Sequence, residues 1–294
     1  MPTLEFTLMV GCPLKCTFCP QDGLRARYGQ NEKYMSFATF RTILAKVPKH
    51  VRVDFSGMAE PWANPSTTDM LRHTLLAGYT VGIYTTLYDI PPAEAETIIG
   101  LLRAHAPQIE VICLHLPDRN ANMRGWRFNA DYEATLRAFI GLGLARTLPR
   151  FEIMTMDPEG QIHPDLNHIG IRLGQWLGHT RAGNVTEADV AGQPLEAMPR
   201  HDSAVTCSFT PYYDQNVCLP NGDVVLCCMD YSLKHKIGNL IEQDYYEMFA
   251  GPGLGQLIGE NMKPAFSGLS LCKSCNRAAR HVPGPSRQFW QGAA

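Results

Sequence analysis

Three cysteines near the start of the chain constrain it most. They stand as Cys12-Pro-Leu-Lys-Cys16-Thr-Phe-Cys19, a C-x3-C-x2-C run directly after the apolar segment Leu4–Val10. Three closely spaced thiolates can hold three irons of a four-iron–four-sulfur cluster, whose full set of protein ligands is four cysteines. The fourth iron is then left open to bind and reduce a small molecule. Two other chemistries use clustered cysteines. Zinc sites usually come as paired C-x2-C units, a different spacing. Disulfide frameworks suit short secreted chains, and this one has 294 residues.

A C-x3-C-x2-C run with an aromatic just before its third cysteine resembles that of the radical S-adenosylmethionine (SAM) enzymes. The resemblance implies that Cys12, Cys16 and Cys19 carry a cluster whose open iron chelates the amino and carboxylate groups of SAM. An electron from that cluster cleaves SAM to methionine and a 5′-deoxyadenosyl radical, which takes hydrogen from an unactivated C–H bond. Phe18 matches the aromatic that in the family lies near the adenine. The same resemblance implies a flavodoxin- or ferredoxin-type electron donor as partner.

Composition sets the outer bounds. A chain of this length can bury a large core and fits one large domain or two smaller ones. Its formal net charge of −2 carries no nucleic-acid footprint. No apolar run approaches the ~20 residues of a membrane span. The N-terminus lacks the basic, then apolar, then small-residue order of a signal peptide. Ten cysteines without such a signal argue for a reducing compartment, where clustered cysteines more often bind metal than pair. The cytoplasm is the expected location.

Residues 1–184 alternate strand-like and helix-like stretches, the pattern of an α/β fold with a parallel sheet. Strands are predicted at Leu4–Val10, Val51–Phe55, Val81–Thr86, Glu110–Leu116 and Phe151–Met156, with a weaker sixth near His179–Val185. Helices are predicted between them. Ser36 caps one with Phe37, Phe40, Leu44 and Val47 on a face, and Ser66 caps the next. Pro91 and Pro92 fit the first turn of a third, and Asp131 begins a fourth. Six βα units are fewer than a full eight-stranded barrel and resemble the partial (β/α)6 barrel of radical SAM enzymes, with the site at the carboxyl ends of the strands. Residues 185–206 read as a linker, and 207–294 as a small cysteine-rich C-terminal domain built on a β-hairpin plus a helix.

Several strand-end segments extend the resemblance. Ser56-Gly57-Met58-Ala59-Glu60-Pro61 is similar to the family's Gly-Gly-Glu-Pro motif, which binds the SAM amino group. The second glycine is not kept, but Gly57 and Glu60 hold matching places. Tyr84-Thr85-Thr86 falls where the family often has a Thr-Asn pair contacting SAM, which makes Thr86 a candidate. His115 ends the fourth strand, where a polar residue often approaches the SAM ribose, and period-two alternation puts Cys113 on its face. Arg181-Ala182-Gly183-Asn184 resembles a segment common just before the auxiliary domain. Arg181 can grip the SAM carboxylate through two parallel hydrogen bonds or face the substrate. Arg119, Asn120, Arg124, Trp126 and Arg127 follow the fourth strand as a candidate substrate mouth.

Cys207, Cys227, Cys272 and Cys275 form a second set. Asn221-Gly222 is a hairpin signal between two apolar runs, the second of which delivers Cys227. The order looks like the twitch form of the SPASM domain, which adds one auxiliary four-iron–four-sulfur cluster. The implied cofactors are therefore two such clusters and SAM. A structural zinc fits the same four cysteines on chemistry alone. Cys228 can replace Cys227 as ligand, pack as a small hydrophobe, or give a hydrogen atom to a substrate radical.

The resemblance extends to aminoglycoside-pathway radical SAM dehydrogenases and epimerases. It implies oxidation of an alcohol to a ketone on a small polar substrate such as a sugar, aminocyclitol or nucleoside. The alternatives are epimerisation with Cys228 as hydrogen donor, on an aminoglycoside or a peptide, and radical modification of a ribosomal peptide. Cys12 stands too close to the N-terminus to leave room for a leader-binding domain, which favours the small substrate.

Overall fold

The computed structural model describes residues 1–30, 32–144, 150–171, 173–175, 177–190 and 192–282. Alternation within the first strand decides how the sheet is dressed. Leu4, Phe6 and Leu8 are fully buried in the core, whereas Thr3, Glu5 and Thr7 take the opposite face. Phe6 meets Phe40 of the helix Phe37–Leu44 at 4.8 Å between ring centroids, and Phe40 meets Phe55 at 6.1 Å. The helices thus cover the outer face. Polar groups line the inner one, where Arg52 grips Asp54 at 2.7 Å and Glu110 at 3.0 Å.

Five parallel strands follow in chain order: Thr3–Phe6, Arg52–Phe55, Val81–Thr85, Ile109–Leu116 and Phe151–Thr155. Helices Phe37–Leu44, Thr67–Leu76, Pro92–Ala104 and Ala130–Leu144 connect them. The first strand stops short of its apolar run because Leu8 and Val10 turn to the segment ahead of the next helix. The Leu8 carbonyl accepts from Met35 N–H, and Val10 N–H donates to Lys33.

The caps are mostly as expected. Ser36 Oγ accepts from Thr39 N–H at 3.0 Å, and Pro91 and Pro92 open the third helix. Ser66 occupies its cap position without a side-chain bond. Asn64 does the work there, accepting from Ser66 N–H and donating to the carbonyls of Leu8 and Met35.

The weak sixth strand near His179–Val185 does not form. Arg181, Ala182 and Gly183 take φ of 48°, 54° and 88° in a tight turn, and successive left-handed residues cannot extend a strand. The sixth parallel strand comes instead from the C-terminal region. Gln215–Cys218 pairs with the free edge of the first strand, Thr3 opposite Gln215 and Phe6 opposite Cys218. A hairpin then adds Asp223–Val225 and Lys236–Asn239 in antiparallel register. Gly222, at φ 82°, turns the chain from Gln215–Cys218 into Asp223–Val225, as the Asn221-Gly222 signal predicts.

The result is a mostly parallel α/β sheet of eight strands among the described residues, a partial barrel with a C-terminal domain. The sheet runs without a break into that domain, past the linker expected at 185–206. Within the linker stretch, Val205 starts a strand, Val205–Cys207, that pairs with Ala278–Arg280. The expected end of the domain, 283–294, lies outside the described residues. No helix among the described residues is long and apolar enough to cross a membrane.

Phe40 is fully buried where strand and helix meet. Phe40→Ala is expected to cost about 3–5 kcal/mol of stability, read as a lower urea midpoint at unchanged slope.

Candidate functional site

The three-cysteine loop is held by the sheet on one side and by the loop after the fourth strand on the other. Lys15–Cys16 pairs with Met123–Arg124, and Thr17 N–H donates to Asn122 at 2.8 Å. The loop closes one side of a cavity of about 250 Å³ at the carboxyl ends of the strands. Cys12, Cys16, Cys19 and Phe18 all line it. So do Gly57 and Glu60 from the loop after the second strand, and Thr86, His115 and Arg181 from separate parts of the chain. These nine residues therefore share one space.

Burial pushes the Cys12 thiol up to about 11 and the Cys16 thiol well above its ordinary value. Such thiols ionise at neutral pH only when a metal takes the proton's place. Among the described residues no three His, Cys, Asp or Glu side chains converge to hold one metal ion. A zinc requires its sulfurs about 2.3 Å from a single point, whereas a four-iron cluster spreads its thiolates over separate irons. A three-thiol loop facing a cavity of this size fits the cluster.

Gly57 has φ 77°, and a Cβ there would sit 2.9 Å from the Thr7 backbone nitrogen. Only glycine lets the loop after the second strand press so closely on the first. That approach lets Met58 N–H reach Thr7 Oγ1 at 3.0 Å and places Glu60 beneath the third strand's end. Glu60 is 4% exposed. Its Oε1 accepts from Thr85 Oγ1 at 2.7 Å and Trp62 N–H at 3.3 Å, and its Oε2 from Thr86 N–H and Oγ1, both at 2.7 Å. Burial raises its pKa, and those donors oppose the rise. The carboxylate's acceptor sites are thus nearly filled. An ammonium group in the cavity would be met chiefly by its charge, with the long Trp62 bond the first to yield. Thr86 serves Glu60 in this arrangement.

His115 is pushed down to about 4, by burial first and then by the charge of Arg181. Its imidazole is neutral at pH 7 and offers one donor and one acceptor. Cys113, two residues earlier, is buried but does not reach the cavity. Arg181 projects from the left-handed turn, its guanidinium 5.6 Å from the Tyr231 ring centroid. Its Nε is buried without a hydrogen-bond partner. Glu60 and Arg181 give the cavity one fixed charge of each sign. Met123, Met154 and Met156 supply polarizable apolar wall.

The candidate mouth divides. Arg119 and Asn120 are turned to Asp157, at 3.3 and 2.6 Å. Trp126 and Arg127 line a neighbouring cavity of about 500 Å³ beside Tyr88 and Tyr132. Met123, not these residues, borders the cysteine cavity from that loop.

The second cysteine set also lines a single space. Cys207, Cys227, Cys272 and Cys275 line a cavity of about 70 Å³, with Cys228 and Glu5 in its wall. Cys207 ends its strand opposite Ala278. Cys272 lies on a turn capped by Ser270, whose Oγ accepts from Cys272 N–H at 3.1 Å. Backbone N–H groups already point at sulfur: Thr210 to Cys207 and Arg277 to Cys275, each at 3.4 Å. Cys227 and Cys228 both face this space, and burial pushes both thiols up. Cys218 is packed in the core.

Some site residues were not singled out in the sequence. Glu5 was read only as part of an apolar run, although Thr3-Glu5-Thr7 alternates with Leu4-Phe6-Leu8. It accepts from Ser56 Oγ at 2.9 Å, and burial, then the charge of Asp54, pushes it up to about 7. Tyr231 and His179 also line the first cavity, and no motif marks them.

Residues 207–276 match the SPASM family, an iron-sulfur cluster-binding domain. This bears out the expectation of an iron–sulfur domain in that region. No curated protein matches the chain in sequence. In fold it is similar to BtrN in complex with AdoMet and 2-DOIA, at 17% identity and TM-score 0.58, over 94% of this chain and 93% of that one. It is also similar to anSMEcpe with bound AdoMet, at 15% identity and TM-score 0.53, over 93% of this chain and 86% of that one. The expected partial barrel with an auxiliary-cluster domain is borne out.

The folded protein keeps His115 neutral down to about 4, while the unfolded chain protonates it near 6.5. The stability it contributes is therefore intact above pH 6.5 and is lost as pH falls toward 4. In metal-free protein, the His115 ring signals are expected to stay in the neutral form through pH 5.5 by NMR (about one unit below the ordinary histidine value).

Proposed function

We propose that the chain is a radical SAM oxidoreductase acting on a small polar substrate. Cys12, Cys16 and Cys19 would hold the SAM-binding cluster, and Cys207, Cys227, Cys272 and Cys275 the auxiliary one. One observation carries the reading: the three-cysteine loop, Glu60 and Arg181 face one cavity, with the SPASM cysteines around a second cavity and Glu5 in its wall. When bound, SAM with the first cluster would supply a hydrogen-atom acceptor and the auxiliary cluster a one-electron acceptor, so that a carbinol carbon loses a hydrogen atom and an electron while its hydroxyl proton passes to solvent, leaving C=O.

The protein's own groups would bind, orient and exclude water. The methionine end of SAM carries an ammonium and a carboxylate, and Glu60 and Arg181 offer the complementary charges. Phe18, whose ring packs against the backbone of Gly178, would face the adenine. The neutral His115 can hydrogen-bond hydroxyls without adding charge. Met154 and Met156 keep water from the reacting carbon. The small-substrate reading is supported by the similarity to BtrN, whose complex holds AdoMet and 2-DOIA.

A second reading is epimerisation with Cys228 as hydrogen donor. Burial keeps that thiol protonated, as a hydrogen-atom donor requires, and the nearby charge of Arg181 acts on it. Arg181 itself lines the first cavity.

Anaerobic reconstitution is expected to load roughly eight irons per chain. Replacing Cys12, Cys16 and Cys19 with alanine is expected to remove about half of that iron and all SAM cleavage. Persistent cleavage in that variant would overturn the assignment. In deuterated water, oxidation gives a product short of two hydrogens, with Cys228→Ala still turning over. Solvent deuterium fixed at an inverted carbon, lost in Cys228→Ala, selects the epimerase.

A further inference from the structure

Cys19 differs from its two partners in what surrounds its sulfur. Sγ lies 3.3 Å from Gln21 Nε2, within its own loop, and 3.3 Å from the hydroxyl of Tyr231. Tyr231 stands 212 residues away, inside the SPASM match. It is 3% exposed and belongs to one apolar cluster with Leu24, Tyr28 and Met58.

The tyrosine is fixed by a rigid turn. Asp230 N–H donates to the Cys227 carbonyl at 3.0 Å, and Tyr231 N–H to Met229 at 3.0 Å. The Asp230 carboxylate, fully buried, accepts from Ser232 Oγ, Lys234 N–H and His235 N–H at 2.8–3.0 Å. One short turn therefore begins at an auxiliary-cluster ligand, Cys227, and ends at a hydroxyl aimed at a ligand of the other centre.

We propose that Tyr231 is a positioning residue that sets the redox poise of the SAM-binding cluster from the auxiliary domain. The inference rests on the reading of Cys12, Cys16 and Cys19 as that cluster's ligands. With Cys19 as thiolate, the phenol O–H donates and the sulfur accepts. Reduction adds negative charge that spreads onto the sulfurs, so a donor there stabilises the reduced state and raises the potential. The carboxamide of Gln21 supplies a second donor to the same sulfur. The site that must reduce SAM thus depends on a side chain delivered only when the C-terminal domain is docked.

The test is an EPR redox titration of the reconstituted full chain, without turnover. Added SAM identifies the first cluster's signal. Tyr231→Phe keeps the ring and removes only the hydroxyl. Iron content is expected to stay at the wild-type value. The reduced-to-oxidised ratio of the first cluster, at the wild-type midpoint, is expected to fall roughly tenfold, a downward shift of about 59 mV for one electron. The auxiliary cluster is expected not to move. Fluorotyrosine at position 231 retains the shape and donates more strongly, so it is expected to shift the first cluster upward. Unchanged first-cluster potentials in these proteins, or equal shifts in both clusters, would overturn the inference. If Tyr231→Phe does not load, the fluorotyrosine protein decides alone. Failure of the wild-type cysteine loop to load any cluster would instead overturn the underlying assignment.

Discussion

Pairing on both edges of Thr3–Phe6 governs the rest of the molecule. On one edge it meets Arg52–Phe55 and on the other Gln215–Cys218, both parallel. The loop that leaves this strand carries Cys12, Cys16 and Cys19. Double pairing sets that loop between the glycine turn at Gly57 and the hairpin that delivers Cys227. Remove either partner strand and that placement is lost. The strand is only four residues long, so its register is secured by side chains as much as by ladder bonds. Leu4 and Phe6 anchor the helix-covered face, while Glu5 is committed to the interior.

That interior is unusual in being charged. Glu5, Asp54, Arg52 and Glu110 lie on the inner face of the sheet, and burial raises the pKa values of Glu5 and Asp54. Buried charge costs several kcal/mol per ion unless paired. The two-point contact of Arg52 with Asp54 offsets part of that cost. Glu5 has no cation paired to it and is met by hydrogen bonds from Ser56, Cys228 and the Gly57 backbone, which oppose the rise. Glu5 thus bonds to Ser56 and Gly57 of the first cavity's wall and to Cys228 of the second's, and a buried carboxyl with a raised pKa is a mark of functional sites.

How much of this was legible in the sequence depends on the kind of signal. The cysteine spacing, the Asn221-Gly222 turn and the caps at Ser36 and Pro91 are local, and local chemistry sets them. The sixth strand was misplaced because His179–Val185 looks extended by composition, while its backbone is bent by three left-handed residues. Gln215–Cys218 was readable as a strand, but which edge it would join is a long-range choice that no local pattern encodes. Glu60 was found by its motif, yet its saturation by Thr85, Thr86 and Trp62 was not, since that requires the end of one strand to lie over the loop of another. Tyr231 carried no signal, because its partner Cys19 is distant in the chain.

The borrowed sixth strand also bears on how the protein is made. Synthesis proceeds from the N-terminus, and the segment that covers the outer edge of Thr3–Phe6, Gln215–Cys218, emerges long after the strand it covers. Until then a bare strand edge is available to other chains, the situation that favours edge-to-edge aggregation. The cysteine loop next to it also lacks its second wall. Metal loading that precedes release from the ribosome would meet an unfinished cradle, so maturation is expected to follow translation, with the nascent edge as the point where a holdase chaperone has the most to protect.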